Sequence, residues 1–454
     1  MKKFALLTLM FFSIAFLQLR CKENPPGPPT PSTIQFAFED ASCTEAWLKV
    51  SLTDANEPRT VSLKRDGQTV LTARLTINDT TLIDTGLLPK RSYTYQAVRS
   101  SNNSAVDTSP ALQVTTMDTT SHNFTWRIDT LGAVSSVLYD VAIINDTLAY
   151  AVGEMYLRDS AGQVDPILYN LATWNGLQWR IQRVSVPLCP NSTGFFPLRT
   201  VFAFSPNDIW FSGGGDMIHS DGQSFRGDCS VNPLIQGAIT KIWGTSSTNL
   251  YAIGRGGTIV HHNGTSWQRM ASGTTVNLTD IWGTPDGREV WACGFNDSNG
   301  GSVVLRLVNG AWQTVWDRLA PPRPPYIYAS YLSSLWSPGR GEFVLVGGRF
   351  YRNSLYDINI VRNEYIYKPD GSSHIFELVN FAYRVRGTAR NDVCLTGDNA
   401  MIWHWNGLTW YRYDELLSEN DRLYSHATFS SMVVAVGTRY NGIFRNGLII
   451  RGRR

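Results

Sequence analysis

The sequence predicts an all-β protein, a β-sandwich followed by a seven-bladed β-propeller, and three recurring marks carry that prediction. The first is an apolar strand that ends in glycine, at Gly153, Gly213, Gly254, Gly294, Gly347, Gly397 and Gly437, with neighbours 40 to 60 residues apart. A period near 40 with several short strands per unit is the sign of a propeller repeat. The second mark is an Asx-Gly pair, at Asn175-Gly176, Asp221-Gly222, Asn263-Gly264, Asn309-Gly310, Asp370-Gly371, Asn406-Gly407 and Asn446-Gly447. An aromatic follows in most units, at Trp179, Phe225, Trp267, Trp312 and Trp410. Both residues of the pair tolerate the positive φ of a two-residue hairpin, so the pair is expected between a third and a fourth strand. The third mark is a tryptophan ahead of the glycine strand, at Trp243, Trp282 and Trp336, expected on the innermost strand. Four strands repeated seven times, none able to bury both faces alone, stack around an axis. A pair of sandwiches would not keep the glycine and Asx-Gly marks in register.

Length and composition narrow the class. At 454 residues the chain has room for two or three domains. Aromatic residues make up 12% and charged residues only 17%, which suits an extracytoplasmic all-β protein. A net charge of +3 points neither to nucleic acid nor to an anionic membrane surface. No run after residue 20 is apolar enough to span a bilayer. The basic end, Arg451 to Arg454, reads as a solvated tail.

Residues 1–20 have the layout of an export signal: Lys2 and Lys3 precede an apolar run from Phe4 to Leu19. Cys21 follows, and residues 21–32 are Pro-rich, as in an extended spacer. This arrangement resembles bacterial lipoproteins, although Arg20 and Gln18 stand where that family prefers a small residue and Leu. The resemblance implies cleavage before Cys21 and lipidation of Cys21. It further implies an outer-membrane lipoprotein, facing the cell surface or the periplasm, that meets the membrane through its lipid anchor only. A soluble secreted form is the alternative.

Residues 33–116 alternate apolar and polar in short runs, such as AWLKVSL and YTYQAV, and read as sandwich strands. Leu87, Pro89 and Tyr93 are spaced as in the corner of fibronectin type III domains, which this segment resembles. The resemblance implies a spacer or adhesion module, with Tyr93 bonding back to the corner backbone and Trp47 in the core. Residues 117–123 read as a linker and 124–454 as the propeller. Its first segment, FTWRIDTL, matches LQWRI around Trp179 and so reads as an outer strand. Either it or the C-terminal LIIRGRR closes the ring, and the two could pair side by side.

Loop lengths point to one face of the propeller. The stretch from glycine to Asx-Gly pair is 8 or 9 residues in four units and longer in three, through 154–166, 295–301 and 348–363. Loops between second and third strands share a face with the blade-to-blade connections. That face gathers Tyr156, Arg158, Asp159, Arg323, Tyr326, Arg349, Tyr351, Arg352 and Tyr356. Tyr and Arg are favoured anchors of binding sites, and long loops on rigid scaffolds often carry function. The same lengths also fit neutral loop drift.

Motif chemistry is sparse. Cys189 and Cys229 fall in neighbouring blade connections, and an exported compartment permits a disulfide between them. Cys293 and Cys394 lie in glycine strands and read as buried fillers, with Cys43 unpaired. His261 and His262 point to opposite faces of a strand, so they do not form a metal pair, and no metal or cofactor is expected. Asp208 and Asp392 read as turn formers. The hairpin HHNGTSW, His261 to Trp267, resembles the Asp-box of sialidases but lacks its Asp. A glycosidase would need paired carboxylates, for which Asp159 or Asp165 with Asp357 are the candidates. The reading that follows is a monomeric, non-enzymatic envelope scaffold whose propeller binds a glycan or a protein. A carbohydrate-active hydrolase or lyase is the alternative, and a purely structural envelope protein a third possibility.

Overall fold

The computed structural model describes residues 34–53, 60–101, 104–189, 192–296, 300–319, 331–348, 356–362, 365–367, 376–378 and 380–454. They form two compact units, and no helix among them is long and apolar enough to cross a membrane. The N-terminal unit contains two antiparallel sheets. One joins Ile34–Ala41, Glu45–Leu52 and Asp79–Thr85, with Glu45–Leu52 in the middle. The other orders Gln68–Arg74, Thr60–Arg65, Ser92–Ser101 and Ser104–Thr108, and Leu112–Thr115 also pairs with Ser92–Ser101. Alternation along Thr60–Arg65 buries Val61 and Leu63 completely and turns Ser62 and Lys64 outward, as one-sided strands require. Trp47 is buried on the second strand. The Tyr95 hydroxyl donates to Asp84 at 2.7 Å, and Arg65 pairs with the same carboxylate.

In the second unit six consecutive stretches of chain fold into six antiparallel sheets, five of four strands and one of five, and a seventh, four-stranded sheet joins Thr125–Leu131 to the C-terminal strands. The first strands are Val137–Asn145, Thr200–Ser205, Ile239–Ser246, Leu278–Gly283, Tyr331–Gly339, Ala382–Ala389 and Asp421–Phe429. Each packs against the first strand of the next sheet, and Asp421–Phe429 packs against Val137–Asn145. That cyclic adjacency makes the unit a seven-bladed propeller with the first strands innermost. One apolar cluster fills each of the seven blade interfaces. Trp282 packs on the clusters of three successive interfaces, which places it near the axis. Trp243 presses on Gly283 of the next blade, where a Cβ would come within 2.4 Å of its ring.

The glycine mark has a steric cause. In six blades the first strand carries a β-bulge near its start, between Leu138 and Asp140, Ile239 and Lys241, Leu278 and Asp280, Leu332 and Ser334, Ala382 and Arg384, and Leu423 and Ser425. The bulge drives a first-strand carbonyl onto the glycine of the second strand. A Cβ at Gly347 or Gly437 would lie 1.8 Å from the carbonyl oxygen of Tyr331 or Arg422. Only glycine permits that approach, and the bulge re-aims the residue after it.

The Asx-Gly mark works differently from the expectation. At Asn175, Asp221, Asn263 and Asn406 the side-chain oxygen accepts two N–H groups of the following turn, so the turn holds four residues. Asn309-Gly310 alone, among the described pairs, puts both residues at positive φ. Asn446-Gly447 lies inside a strand, Phe444–Arg453, because this third strand has no following fourth strand to turn into. Its outer neighbour is Thr125–Leu131, in antiparallel register from Gly447↔Leu131 to Arg453↔Thr125. Both candidate closing segments therefore pair side by side. The C-terminal arginines are strand residues rather than a solvated tail: Arg451 stacks over Trp174 at 3.7 Å, and Gly452 is buried beneath Trp126. In the fifth blade Tyr356–Arg362, which falls within the expected loop 348–363, is itself the third strand, and both Tyr365–Tyr367 and Phe376–Leu378 pair with it. Asp370-Gly371 lies outside the described residues.

Candidate binding face

The residues re-aimed by the bulges meet in a buried polar network near the end of the axis where the inner strands begin. Two carboxylates organise it. Asp140, in blade one, accepts from the Thr200 hydroxyl at 2.9 Å and Val201 N–H at 3.1 Å in blade two, and from Lys241 Nζ at 2.7 Å in blade three. It also accepts from the Ser425 hydroxyl of blade seven at 2.7 Å. Asp280, in blade four, repeats the scheme. It accepts from the Ser334 hydroxyl and from Leu335 N–H at 3.0 Å in blade five, and from Arg384 at 2.7 Å and both Nη atoms of Arg386 at 2.7 and 2.8 Å in blade six. An aspartate, a hydroxyl one blade on and a cation two blades on thus occur twice, and Ser425 completes the circle of seven.

Burial sets the protonation of this network. Burial alone would raise Asp280, but Arg384 and Arg386 outweigh it and hold the carboxyl well below the usual range. Asp140 is also held low: burial opposes this, and Lys241 and Arg384 overcome it. Burial lowers the Lys241 ammonium to about 8, with Asp140 working against the fall and the two arginines adding to it. Both aspartates and the lysine are therefore charged at neutral pH. The guanidinium of Arg386 lies 4.7 Å over the Trp282 ring, which continues the plug one layer deeper. Ionised carboxylates buried and paired this way do not supply an acid to a substrate; they fasten blades.

The bulge residues themselves divide into two groups. In blades three, four and five they are Thr240, Thr279 and Ser333, whose hydroxyls donate to a carbonyl of the next blade, Leu278, Leu332 and Ala382, at 2.6 to 2.8 Å. In blades six, seven and one they are Tyr383, Tyr424 and Tyr139, all half-buried. The Tyr139 hydroxyl donates to Glu154 at 2.5 Å, and Arg199 of blade two lies 4.0 Å over its ring. Tyr383 donates to Asp398 at 3.1 Å and meets Tyr424 edge-on at 5.4 Å. Arg422 reaches Asp398 at 3.4 Å and covers the Tyr440 ring at 5.4 Å. Burial raises the Asp398 carboxyl, although Tyr383 and Arg422 pull it down. Burial pushes Tyr424 up to about 12, and Tyr440 adds to that. The mouth of the axis thus carries an arc of tyrosines and arginines over three consecutive blades and into a fourth.

The described residues among those expected from loop length lie at the same end of the blades but do not converge into a described site. Arg158 donates to Gly162 O at 2.7 Å, and Asp159 caps Ala161 and Gln163 within one hairpin. Tyr156 is half-buried, with its N–H on Ser136. Tyr356 opens the third strand of blade five. Arg323, Tyr326, Arg349, Tyr351, Arg352 and Cys21 lie outside the described residues. Of the carboxylates suggested for an enzyme, Asp165 is held low by Arg183, and Asp159 is engaged by its own turn. Cys189 and Cys229 form a disulfide with Cα atoms 5.3 Å apart, clasping the connections that follow blades one and two. Cys293 and Cys394 are buried, and burial raises both thiols. Asp208 and Asp392 do more than form turns. They bond His219 and His404 across the blade at 2.9 Å, and Asn249 bonds His261 in the equivalent place.

The sequence did carry a signal for the axial network. In every unit a polar residue stands about a dozen residues before the glycine, at the start of an otherwise apolar strand. Without the bulge, period-two alternation does not say which way that residue points.

The fold and this face define a class: a closed seven-bladed propeller with a charged axial plug beneath a tyrosine-arginine mouth. No protein-family model matches the chain, and no curated protein does so. Among solved structures it is similar to YCF48 bound to D1 peptide, at 18% identity over 72% of this chain and 95% of that one, with a TM-score of 0.49. It is also similar to the computationally designed Ika8 protein, at 14% identity over 70% and 98%, TM-score 0.41. A chain of a nidogen/laminin complex matches at 7% identity over 64% and 96%, TM-score 0.36. Likenesses at this level assign no role.

Proposed function

We propose that the protein is a cell-envelope binding scaffold whose propeller takes a glycan or protein ligand at the tyrosine-arginine mouth. The observation that carries this reading is the exchange at the bulge. One backbone position holds a stitching Ser or Thr in three consecutive blades and a projecting Tyr in the three that follow round the ring. Stability alone would favour the stitch everywhere. Amphipathic phenols and guanidiniums are the side chains that most often anchor ligands. The wider placement remains as the sequence suggested: lipidation at Cys21, a Pro-rich spacer, and an N-terminal unit of the fibronectin type III kind. The last is supported by a three-stranded sheet facing a larger one and by buried Trp47.

The test is a glycan and protein capture with the full chain, compared with Tyr383→Ala/Tyr424→Ala. Loss of a captured ligand with an unchanged melting temperature supports the mouth. Equal capture by both proteins, or none by either, overturns it. A second reading, a carbohydrate-active hydrolase or lyase, is favoured by one feature: the raised Asp398 carboxyl beside the Tyr383 hydroxyl, a pairing suited to proton transfer. It requires turnover of the captured glycan that Asp398→Asn abolishes while binding persists.

A further inference from the structure

A second surface lies on the outer strands, away from the mouth, and its argument does not depend on the mouth. A groove of about 940 Å³ runs along Thr125–Leu131 and is closed by the third-to-fourth strand turn of blade one. That turn sits at the end of the blades opposite the mouth. Arg127 and Arg451 stand directly opposite each other across the outer strand pair, and Arg453 follows two positions on, facing the same way. Like charges placed opposite on a sheet oppose folding unless something neutralises them. Arg451 shows the strain: burial lowers its guanidinium, Asp129 opposes that, and Arg127 and Arg453 push it further down. Asp129 is the only carboxylate lining the described groove, and among the described residues Arg127 forms no ion pair. Arg453 is partly engaged, 3.8 Å from Asp146, and Arg454 is held by Asp392 at 2.6 Å. Of the two aromatics lining the groove, Trp174 is buried and covered by Arg451, which stiffens the cation, and Trp179 is partly exposed.

We infer that this groove binds a linear acidic polysaccharide, whose carboxylates or sulfates complete the counter-charge that Asp129 and Asp146 supply only in part to Arg127, Arg451 and Arg453. Guanidinium forks match both groups bidentately. Thr125, Thr130 and Gln178 line the same groove and suit sugar hydroxyls. An acidic peptide laid along the strand would need apolar pockets for alternate side chains, and the groove offers only Leu131 and Leu177 as aliphatic residues.

The experiment is calorimetric titration of the full chain with alginate, heparin, neutral dextran and poly-glutamate at low and moderate salt. Alginate or heparin is expected to bind with an affinity that falls as salt rises, and dextran not to bind. Arg127→Gln/Arg453→Gln is expected to weaken that binding about ten-fold or more, the worth of one charge-assisted contact. Arg127→Gln alone, at an exposed side chain, guards against a folding defect and should weaken it in the same direction. Tyr383→Ala/Tyr424→Ala should leave it unchanged, which separates this groove from the mouth. Absence of binding to either acidic glycan, equal binding by the double variant, or poly-glutamate bound as tightly as alginate would each overturn the inference.

Discussion

Asp280 is fully buried and accepts from four side-chain nitrogen or oxygen atoms and from the N–H groups of Ile281 and Leu335, in three blades. Removing its carboxylate leaves Arg384 and Arg386 in a low-dielectric interior with no counter-charge. Breaking one side of a buried ion pair destabilises by about 3–5 kcal/mol, far more than an intact pair contributes relative to apolar packing. Asp280→Ala is therefore expected to lower unfolding free energy by about that amount, measured by urea denaturation. Arg390→Gln, whose partner Glu342 joins it outside the axial network, should have a smaller effect. Equal effects would show that the axial site is no more than an ordinary ion pair. The same logic explains why single-sequence reading passed over these residues. An Asp, Lys or Arg at the start of an apolar strand looks like a solvated end, and only the bulge turns it inward.

At the scale of strands, the glycine, tryptophan and Asx-Gly marks were legible because each answers a local steric demand that recurs in several blades. A carbonyl sits on glycine, an indole sits on the next blade's glycine, and an Asx side chain closes a four-residue turn. The blade order, the inner placement of Trp243, Trp282 and Trp336, and the outer-strand character of FTWRIDTL follow from those marks. What was not legible depends on contacts between distant segments. Asn446-Gly447 has the local chemistry of a turn, yet pairing with Thr125–Leu131 holds it extended. Arg451 to Arg454 read as a tail for the same reason. The mouth was not legible because Tyr139, Tyr383 and Tyr424 stand at inner-strand bulges that the sequence does not show, whereas loop length points to other residues. The closing strand makes a prediction at this scale. A chain that starts after Leu131 leaves Leu448, Ile449 and Ile450 beside an open edge. Amide exchange in Phe444–Arg453 is expected to accelerate more than in any other third strand, and the shortened protein to self-associate. Unchanged protection there would mean that the ring does not depend on this closure.

The molecule as a whole joins nearest-neighbour blade packing, which on its own behaves as a one-dimensional stack, to a closed ring. Asp140 and Asp280 reach beyond adjacent blades, and the segment before the closing strand docks on blade six. There His122 Nδ1 faces His404 Nδ1 at 2.8 Å, the His122 carbonyl accepts from Tyr413 at 2.8 Å, and His404 leans on Asp392. Two ring nitrogens at that distance need one neutral acceptor, so the clasp cannot hold two imidazolium rings. Burial, with His404 and Arg454 nearby, lowers His122 from 6.5 to about 4. His426, buried at the axis with its Nδ1 on Thr396, is also held well below its ordinary value, by burial and by Arg386 and Arg384. Both shifts have the same sign. Below pH 6.5 the unfolded chain takes up protons that the folded ring refuses, so stability falls with pH through the window from 6.5 to about 4. Above that window these groups contribute no slope. The lowered axial carboxylates act only at more acid pH, below their ordinary range, so the histidine effect stands apart from them. The melting temperature is thus expected to change little near pH 7 and to decline between pH 6.5 and 4, with the closing strands losing amide protection first. His122→Gln, which keeps a hydrogen-bonding side chain but cannot titrate, should flatten that decline. An equal decline in the variant would remove the clasp from the account and leave the acid sensitivity to His426 at the axis and to His261, which burial also lowers.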